Sequence, residues 1–495
     1  MTVIVKTQKT DEIRRLISLA IQDGRNRQSS ETGFVHFNYK DKADINEHSI
    51  PVLENVLFAL ALLRSRMSDN VLESKEILEK ILYFQHIGSS PMEGNFPLYL
   101  HEFPTCKHRW LAVQLIPPFF WIYKEFRNIL GNSLRTRIEE CLRLLISYSL
   151  QMHKENPAPY HFAVILAAGT RAVGETLNVP KWRNDDSVEK LAEPKSRDLW
   201  FSPRKMGEIL TGLQMCYTEL SGTPWETFLH HLTSTWDPQT QTYIGPPVQE
   251  YYWKSGLEPS YYDFFLSCQA KGELKEYSPG NIVTLKGALI RSFSEELPSQ
   301  LETLSMQGSL NGRAWEMTKE KNFSYSVQEH DGLPQSDEGY HVFRMAWGSS
   351  AKVYNLVCPK GNYKMSFEKH ENGADLFFTL PEDIDLNNKK HCREIAFYCD
   401  LCENINLRVK GKAATTFQLN EDVLVNSEKA QLTLRFAKVE GDGRFFGHIT
   451  KGDRPAQLYL KREKSLSVFD TLILLRTVHR SGSCCIKVEI RFDAR

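Results

Sequence analysis

The chain changes its hydrophobic periodicity once, near residue 300. Up to about residue 295, apolar side chains recur at helical spacing, whereas from about residue 305 to Arg495 they alternate with polar ones. A chain of 495 residues is too long for one hydrophobic core. The sequence therefore predicts two domains, a helical one over residues 1–295 and an antiparallel β domain over residues 296–495.

The helical half contains helices of two kinds. Leu134, Ile138 and Leu142 place an apolar stripe on one face of an amphipathic helix, whereas the segments WLAVQLIPPFFWIY and FAVILAA are apolar nearly all round and should be buried on every side. Because the two kinds alternate along the chain, we expect an inner layer of all-round apolar helices covered by an outer layer of amphipathic ones. The predicted helices are 11–22, one starting at Pro51, 71–85, 110–130, 134–152, 158–176, 203–220, 224–232, 259–271 and 282–293.

Such a series either closes into an α/α toroid or stacks as an open solenoid. No self-similarity with a period of roughly 30 to 45 residues is present, which disfavours a regular solenoid. We therefore expect an incomplete (α/α) toroid.

The second half has strict two-residue alternation. It is clearest over Ile405–Val409, Leu432–Phe436 and Ile486–Phe492, where each apolar residue is followed by a polar one. Strands with one solvent-exposed face, separated by turns that contain Gly, Asn and Asp, are typical of antiparallel sheets. We expect a β-sandwich of about a dozen strands.

Charge and hydropathy exclude several partners. Lys plus Arg and Asp plus Glu both total 61, so no overall field favours nucleic acid. The most apolar run, 110–123, is interrupted by Pro117 and Pro118 and is too short to span a bilayer, which predicts no membrane insertion. The first residues lack the pattern of a cleaved signal, and the 10 cysteines are scattered as in reduced proteins, which predicts a cytoplasmic location.

A toroid followed by a β-sandwich resembles the polysaccharide lyases of the chondroitin AC, alginate and heparinase II/III type. Two local stretches are similar to the sandwich domain of heparinase-like proteins, namely GYHVFRMAWG at 339–348 and TTFQL followed by the hairpin EGDGRFFGHITKGDRP at 440–455. The resemblance implies a partner that is an acidic polysaccharide or oligosaccharide, cleavage by β-elimination, and no cofactor or metal.

Elimination needs a group that neutralises the uronate carboxylate, and a Tyr or His that moves protons. Three stretches rich in these residues meet part of that requirement: 95–110, NPAPYHFA at 156–163, and 245–265. The predicted catalytic residues are Tyr252 or Tyr160 as acid or base, assisted by His161 and His101. The predicted substrate-binding residues are Asn95 and Arg109 for the carboxylate, and Trp110, Trp253 and Tyr261 for the sugars.

Other interpretations remain open. Each stretch is also compatible with ordinary packing, and no single lyase family's pattern is complete. A glycoside hydrolase on the same toroid would require two facing carboxylates, and a non-catalytic carbohydrate- or protein-binding module would keep the scaffold alone. Cys392, Cys399 and Cys402 with His391 have the residue types of a zinc site, but they lie in an alternating strand-like segment, which favours chance.

Overall fold

Two compact units make up the part of the chain that the structure, a computed structural model, describes. The described residues are 2–36, 49–88, 90–192, 203–237, 239, 242–244, 285–291, 293, 302–310, 312–332, 341–349, 352–382, 393–399, 405–455 and 469–495. Of these, residues up to 192 together with 203–232 and 285–293 form the helical unit, and residues 233–244 together with 302–495 form the sheet unit.

The first half of the chain is helical, as predicted. Short 3-10 turns at Leu82–Phe84, Leu100–Glu102 and Gly287–Leu289 accompany the helices. The helices are α1 (Thr2–Arg27), α2 (Val52–Ser65), α3 (Ser68–Ile81), α4 (Leu111–Phe126), α5 (Asn132–Glu155), α6 (Tyr160–Thr176), α7 (Pro180–Arg183), α8 (Ser187–Leu191), α9 (Pro203–Cys216) and α10 (Glu226–Thr235).

Burial separates the helices into the two kinds that the pattern predicts. Every residue of α2 from Val52 to Leu63 is buried, and α4 and α6 are buried on almost all sides. In contrast, α3 and α5 bury one face, and they pack on α2 and α4 respectively. Closure of these helices into a toroid stays a prediction.

Two helical predictions were wrong in extent. Helix α1 continues to Arg27, through residues predicted to be loop, because Asp23 and Arg27 form a buried ion-pair cluster with Glu54 of α2. The helix predicted over 282–293 ends early: in its described part Leu285 and Lys286 are helical, Gly287–Leu289 form a 3-10 turn, and Ile290 is extended. Tertiary bonds replace helical ones there: the side-chain amide of Gln214 bonds to both the backbone N–H and the carbonyl of Arg291.

The second half consists of antiparallel strands in two sheets. The strands of these sheets are β3 (Leu304–Leu310), β4 (Arg313–Lys319), β5 (Phe323–Gln328), β6 (His330–Asp331), β7 (His341–Ser349), β8 (Lys352–Pro359), β9 (Lys364–His370), β10 (Gly373–Leu380), β11 (Arg393–Cys399), β12 (Asn406–Val409), β13 (Thr416–Phe417), β14 (Asp422–Asn426), β15 (Ala430–Glu440), β16 (Gly443–Pro455), β17 (Phe469–Arg480) and β18 (Cys484–Ala494). Preceding them, β1 (Trp236–Asp237) pairs with β2 (Thr242–Tyr243). Among the described residues, one sheet has 7 strands in the order β12-β14-β15-β18-β10-β9-β6, and the other has 9 in the order β13-β16-β17-β11-β8-β7-β5-β4-β3.

One apolar core joins the two sheets. It contains Tyr325 and Leu356 from the nine-stranded sheet, and Leu376, Leu434 and Val488 from the seven-stranded sheet. This arrangement is consistent with a β-sandwich. Among the described residues the two sheets have 16 strands, more than the predicted dozen. Part of the excess comes from β6 and β13, of 2 residues each, which are too short to produce a visible alternation.

The described helices include none that is long and apolar enough to cross a membrane. The domain boundary predicted between residues 295 and 296 stays a prediction. By its contacts, however, the segment from Thr233 to Ile244 belongs to the sheet unit.

Candidate functional site

A narrow pocket lies among the buried helices of the helical unit. Its walls come from four helices, represented by Leu53 of α2, Gln114 of α4, Ile165 of α6 and Glu208 of α9, and from Lys286. Its volume is about 20 Å³, which accommodates a group about the size of one water molecule. Leu53 and Gln114 lie in the first turns of α2 and α4, where the positive partial charge of a helix end favours a negatively charged group.

Two ionisable side chains, Lys286 and Glu208, line this pocket, and a third, His161, lies beside Glu208. The ammonium of Lys286 donates a hydrogen bond to Oε1 of Glu208 at 2.9 Å, and Nε2 of His161 lies 4.0 Å from Oε2 of the same carboxylate. All three side chains are nearly buried, with 6% to 11% of each exposed.

A second buried cluster adjoins the first. Arg27 binds Glu54 with one guanidinium nitrogen and Asp23, at 3.0 Å, with another. Burial raises the pKa of Glu54, although Arg27 and Lys286 act in the opposite direction. Lys286 therefore interacts electrostatically with two buried carboxylates, those of Glu54 and Glu208.

The local sequence explains the position of His161. Pro159 is extended and precedes the first residue of α6, so His161 is the second residue of a helix that is otherwise apolar. Its ring packs on Phe162, with the ring centroids 4.2 Å apart. The neighbouring Tyr160 points elsewhere, because its hydroxyl donates a hydrogen bond at 2.7 Å to the carbonyl of Leu191.

Asn95 lies in a separate buried group formed by the long loop and α5. Its amide donates to the hydroxyl of Tyr148 and to the carbonyl of His108, both at 3.2 Å. Burial raises the pKa of Tyr148, although Arg109 and the bond from Asn95 act in the opposite direction. The pKa of the Tyr148 phenol is thus held above its usual range, so this tyrosine is not poised to accept a proton.

The other predicted residues of the long loop are near the surface. His101 is exposed and stacks on Tyr99, with the ring centroids 5.8 Å apart. Arg109 is exposed, and the half-buried Trp110 directly precedes α4. Asn95 thus bonds to Tyr148, whose phenol also interacts electrostatically with Arg109, whereas His161 lies beside Glu208.

Three predicted site residues, Tyr252, Trp253 and Tyr261, lie outside the described residues. His391, Cys392 and Cys402 of the considered zinc set also lie outside them, while Cys399 is buried in β11.

Sequence reasoning did not identify Glu208, Lys286 or Glu54. Each is a single charge in a helical segment, which usually indicates a solvated face. The signal that was available is the context of Glu208 and Glu54, because both lie in apolar runs, MGEILTGL and VLENVLFAL, where a buried charge requires a partner.

One group of potential metal ligands occurs among the described residues, and it lies in the sheet unit. Glu368, His370 and Asp375 place one ligand atom each within 4.8 Å of one another. Lys487 and Arg491, however, bind the two oxygens of Asp375 at 2.7 and 2.6 Å. These two cations already neutralise the carboxylate, which makes the group a poor site for a further cation.

Comparisons with known proteins give a distant likeness in structure alone. No protein-family model matches the sequence, and no curated protein matches it. A mutant heparan sulfate lyase from Pedobacter heparinus is 9% identical with a TM-score of 0.37, the match covering 98% of this chain and 83% of that one. A chondroitin AC lyase from Streptomyces coelicolor A3, solved in complex with chondroitin sulphate, is 8% identical with a TM-score of 0.43, covering 97% and 79%. Such low TM-scores leave the fold and function of this chain to be argued from its own residues.

Proposed function

We propose that this chain is a carbohydrate-active protein, a lyase that cleaves a uronate-containing polysaccharide by β-elimination in its helical unit. The observation that carries the proposal is the buried group of Lys286, Glu208 and His161 at a pocket among four helices. Lys286 supplies a cation at the pocket, and His161 supplies a base beside the carboxylate of Glu208.

The pocket fits the demands of elimination better than those of sugar binding. At about 20 Å³ it admits a carboxylate oxygen and excludes a sugar ring, so the ring would remain at its mouth. The ammonium of Lys286 and the first turns of α2 and α4 would stabilise the enolate-like charge that develops on the uronate as the proton leaves.

In this mechanism His161 removes the proton beside the sugar carboxylate. Glu208, 4.0 Å from its Nε2, stabilises the imidazolium that forms. As the carbon–oxygen bond to the 4-linked sugar breaks, an acid returns a proton to the leaving oxygen, and Tyr252 remains our candidate for it. Tyr160 is less suited, since its hydroxyl is already bonded to Leu191.

Apart from Asn95, the predicted substrate-binding residues keep their proposed roles outside the pocket. Arg109 would hold a carboxylate, and His101 would assist. Trp110, Trp253 and Tyr261 would line the sugar sites. The exposure of His101 and Arg109 suits contact with a polymer, whereas Asn95 is fully buried and would act by holding the loop.

The proposed scaffold is an incomplete (α/α) toroid. In its support, α2, α4, α6 and α9 surround one pocket, while α3 and α5 cover α2 and α4 from outside. Inner and outer helices alternate along the chain in this order, as a toroid requires.

The test is a screen of the purified full chain on alginate, hyaluronan, chondroitin and heparan sulfates, and pectate. Ultraviolet absorbance reports the unsaturated uronate. We expect activity on at least one polymer, and a loss of about 100-fold or more in His161→Gln and in Lys286→Met. The exposed-residue controls His479→Gln and Lys190→Met should retain full activity. Activity that survives in both site variants would remove the pocket from the mechanism.

A glycoside hydrolase is the second candidate, and one observation favours it. Glu54, whose pKa burial raises, and Glu208 both interact with Lys286, which gives a carboxyl suited to be a general acid and a second carboxylate nearby. A hydrolase would release reducing ends without ultraviolet absorbance. Polymer binding without either product would instead identify a non-catalytic binding module.

A further inference from the structure

A basic pocket lies on the helical unit, apart from the candidate site. It is formed where α2 and α4 end, with α1 on one side and residues 290–291 on the other, and its volume is about 290 Å³. Three arginines line it, Arg64, Arg66 and Arg291, against a single carboxylate, that of Glu125. The pocket is therefore large enough for a tetrahedral anion and carries excess positive charge.

Arg64 and Glu125 form its fixed base. The guanidinium of Arg64 donates two parallel hydrogen bonds to Glu125, both at 3.0 Å, and it also donates to the carbonyls of Ala288 and Ile290. Only 7% of the Arg64 side chain is exposed. This pair neutralises itself, so the charge available to a ligand comes from the other cations.

Arg291 is loosely held over an aromatic surface. Its guanidinium carbon lies 4.5 Å from the ring centroid of Trp121, and its Nε lies 3.6 Å from a carboxylate oxygen of Glu125 that Arg64 already binds. The ammonium of Lys124 lies 5.4 Å from the same ring. Stacking on Trp121 orients the guanidinium and leaves its N–H groups able to bind an anion.

Arg66 completes the pocket in an unusual backbone conformation. It ends α2 with a φ of 59°, in the left-handed region, where Gly or Asn is the common residue. Its side chain is exposed and makes no hydrogen bond or ion pair with the residues that the structure describes. An arginine at this strained position places a guanidinium at the rim of the pocket at a conformational cost that glycine would avoid.

We propose that this pocket binds an oxyanion of the sulfate or phosphate type, held between Arg66 and Arg291. Guanidinium groups bind such anions with paired N–H···O bonds, and two of them lining one pocket can share a tetrahedral ligand. The alternative is that the cations only complement the negative ends of α2 and α4. That alternative predicts no saturable binding.

The test is isothermal titration of the full chain with sodium sulfate and with sodium phosphate, at an ionic strength held constant with sodium chloride. We expect saturable binding of at least one anion. The double variant Arg66→Gln/Arg291→Gln should weaken it at least tenfold, while Arg135→Gln, an exposed arginine of α5 outside the pocket, should not change it. Both substitutions are at exposed positions, and circular dichroism would verify that the fold persists.

Absence of saturation with both anions, or equal affinity in the double variant, would overturn the proposal. A sulfated monosaccharide and its unsulfated form distinguish the source of the anion. Tighter binding of the sulfated sugar than of free sulfate would identify a sugar substituent, and equal or weaker binding would identify the free anion. The proposal does not depend on the lyase mechanism, since the pocket shares no lining residue with the candidate site.

Discussion

At the scale of single residues, the buried carboxylate of Asp375 is paired with two cations. Asp375 is 2% exposed on β10, and its oxygens bind Lys487 at 2.7 Å and Arg491 at 2.6 Å. Burial alone would raise the pKa of this carboxyl, but the hydrogen bonds from the two cations lower it overall. Asp375 is therefore more acidic in the folded protein than in the unfolded chain.

This difference predicts a pH dependence of stability. Because the folded pKa is lowered, the contribution of Asp375 is complete above the unfolded pKa, near 3.8, and is lost as the pH falls through the folded value. Asp375→Asn should lower the free energy of unfolding at pH 7 by about 2 kcal/mol, the value of charge-assisted hydrogen bonds. Urea titrations between pH 2 and 7 should show that the variant lacks this acid-dependent loss.

The matched control is Asp422→Asn, because Asp422 pairs with Arg435 on the same sheet but keeps 38% of its side chain exposed. It should change stability little. Equal losses in the two variants would contradict the assignment of the buried ion pairs as stabilising.

At this scale, sequence reasoning could identify only part of the candidate site. His161 was proposed because elimination needs a Tyr or His, and this histidine stands at the start of an apolar helix. Its partners Glu208 and Lys286 are 78 residues apart and meet only through the packing of α9 on the 285–290 turn. The apolar run around Glu208 indicates that its charge needs a partner, but no local pattern identifies a partner that distant.

At the scale of elements, glycines determine how closely the buried helices approach. A Cβ on Gly174 of α6 would lie 2.6 Å from the backbone nitrogen of Arg183 and 2.7 Å from the carbonyl carbon of Trp182. Both atoms belong to the α7 turn, which folds back on α6. A side chain at this position would therefore separate the two elements.

Gly174→Ala should destabilise the helical unit, although alanine is the better helix former. The propensity gain is about 1 kcal/mol, and overpacking against backbone costs about 1 to 3 kcal/mol, so we expect a net loss. Gly212→Ala is the graded control, since its nearest contact would be 3.0 Å from Cα of Ile165 and the loss should be smaller. Thermal unfolding followed by circular dichroism would measure both, and a stabilised Gly174→Ala would contradict the close approach.

Elements with a strong period were predictable, and elements shaped by distant contacts were not. The alternation over Leu432–Phe436 and Ile486–Phe492 corresponds to β15 and β18, which pair directly, with Leu434 opposite Ile490. The helix predicted over 282–293 does not continue to Ile290, because side chains of other helices, Arg64 and Gln214, bond to the backbone there. Local pattern cannot anticipate that competition.

At the scale of the whole molecule, one segment that precedes the change of periodicity near residue 300 belongs by its contacts to the sheet unit. Ile244, 2% exposed, packs in a small core with Leu304, Trp315 and Met317 of the sheet unit. Asp237 lies 3.5 Å from the ammonium of Lys319, and both side chains are buried. The segment 233–244 thus completes the sheet unit although it begins in the last turn of α10.

This dependence predicts the behaviour of two fragments. A fragment of residues 296–495 lacks Ile244 and Asp237, which opens the small core and removes a carboxylate partner of the buried Lys319. It should unfold with a free energy lower by at least about 3 kcal/mol than a fragment of residues 233–495. Urea unfolding followed by circular dichroism would measure the difference, and Asp237→Asn in the longer fragment would isolate the part due to the ion pair. Equal stability of the two fragments would instead support a domain boundary at 295, because it would mean that the sheets need nothing from the preceding segment.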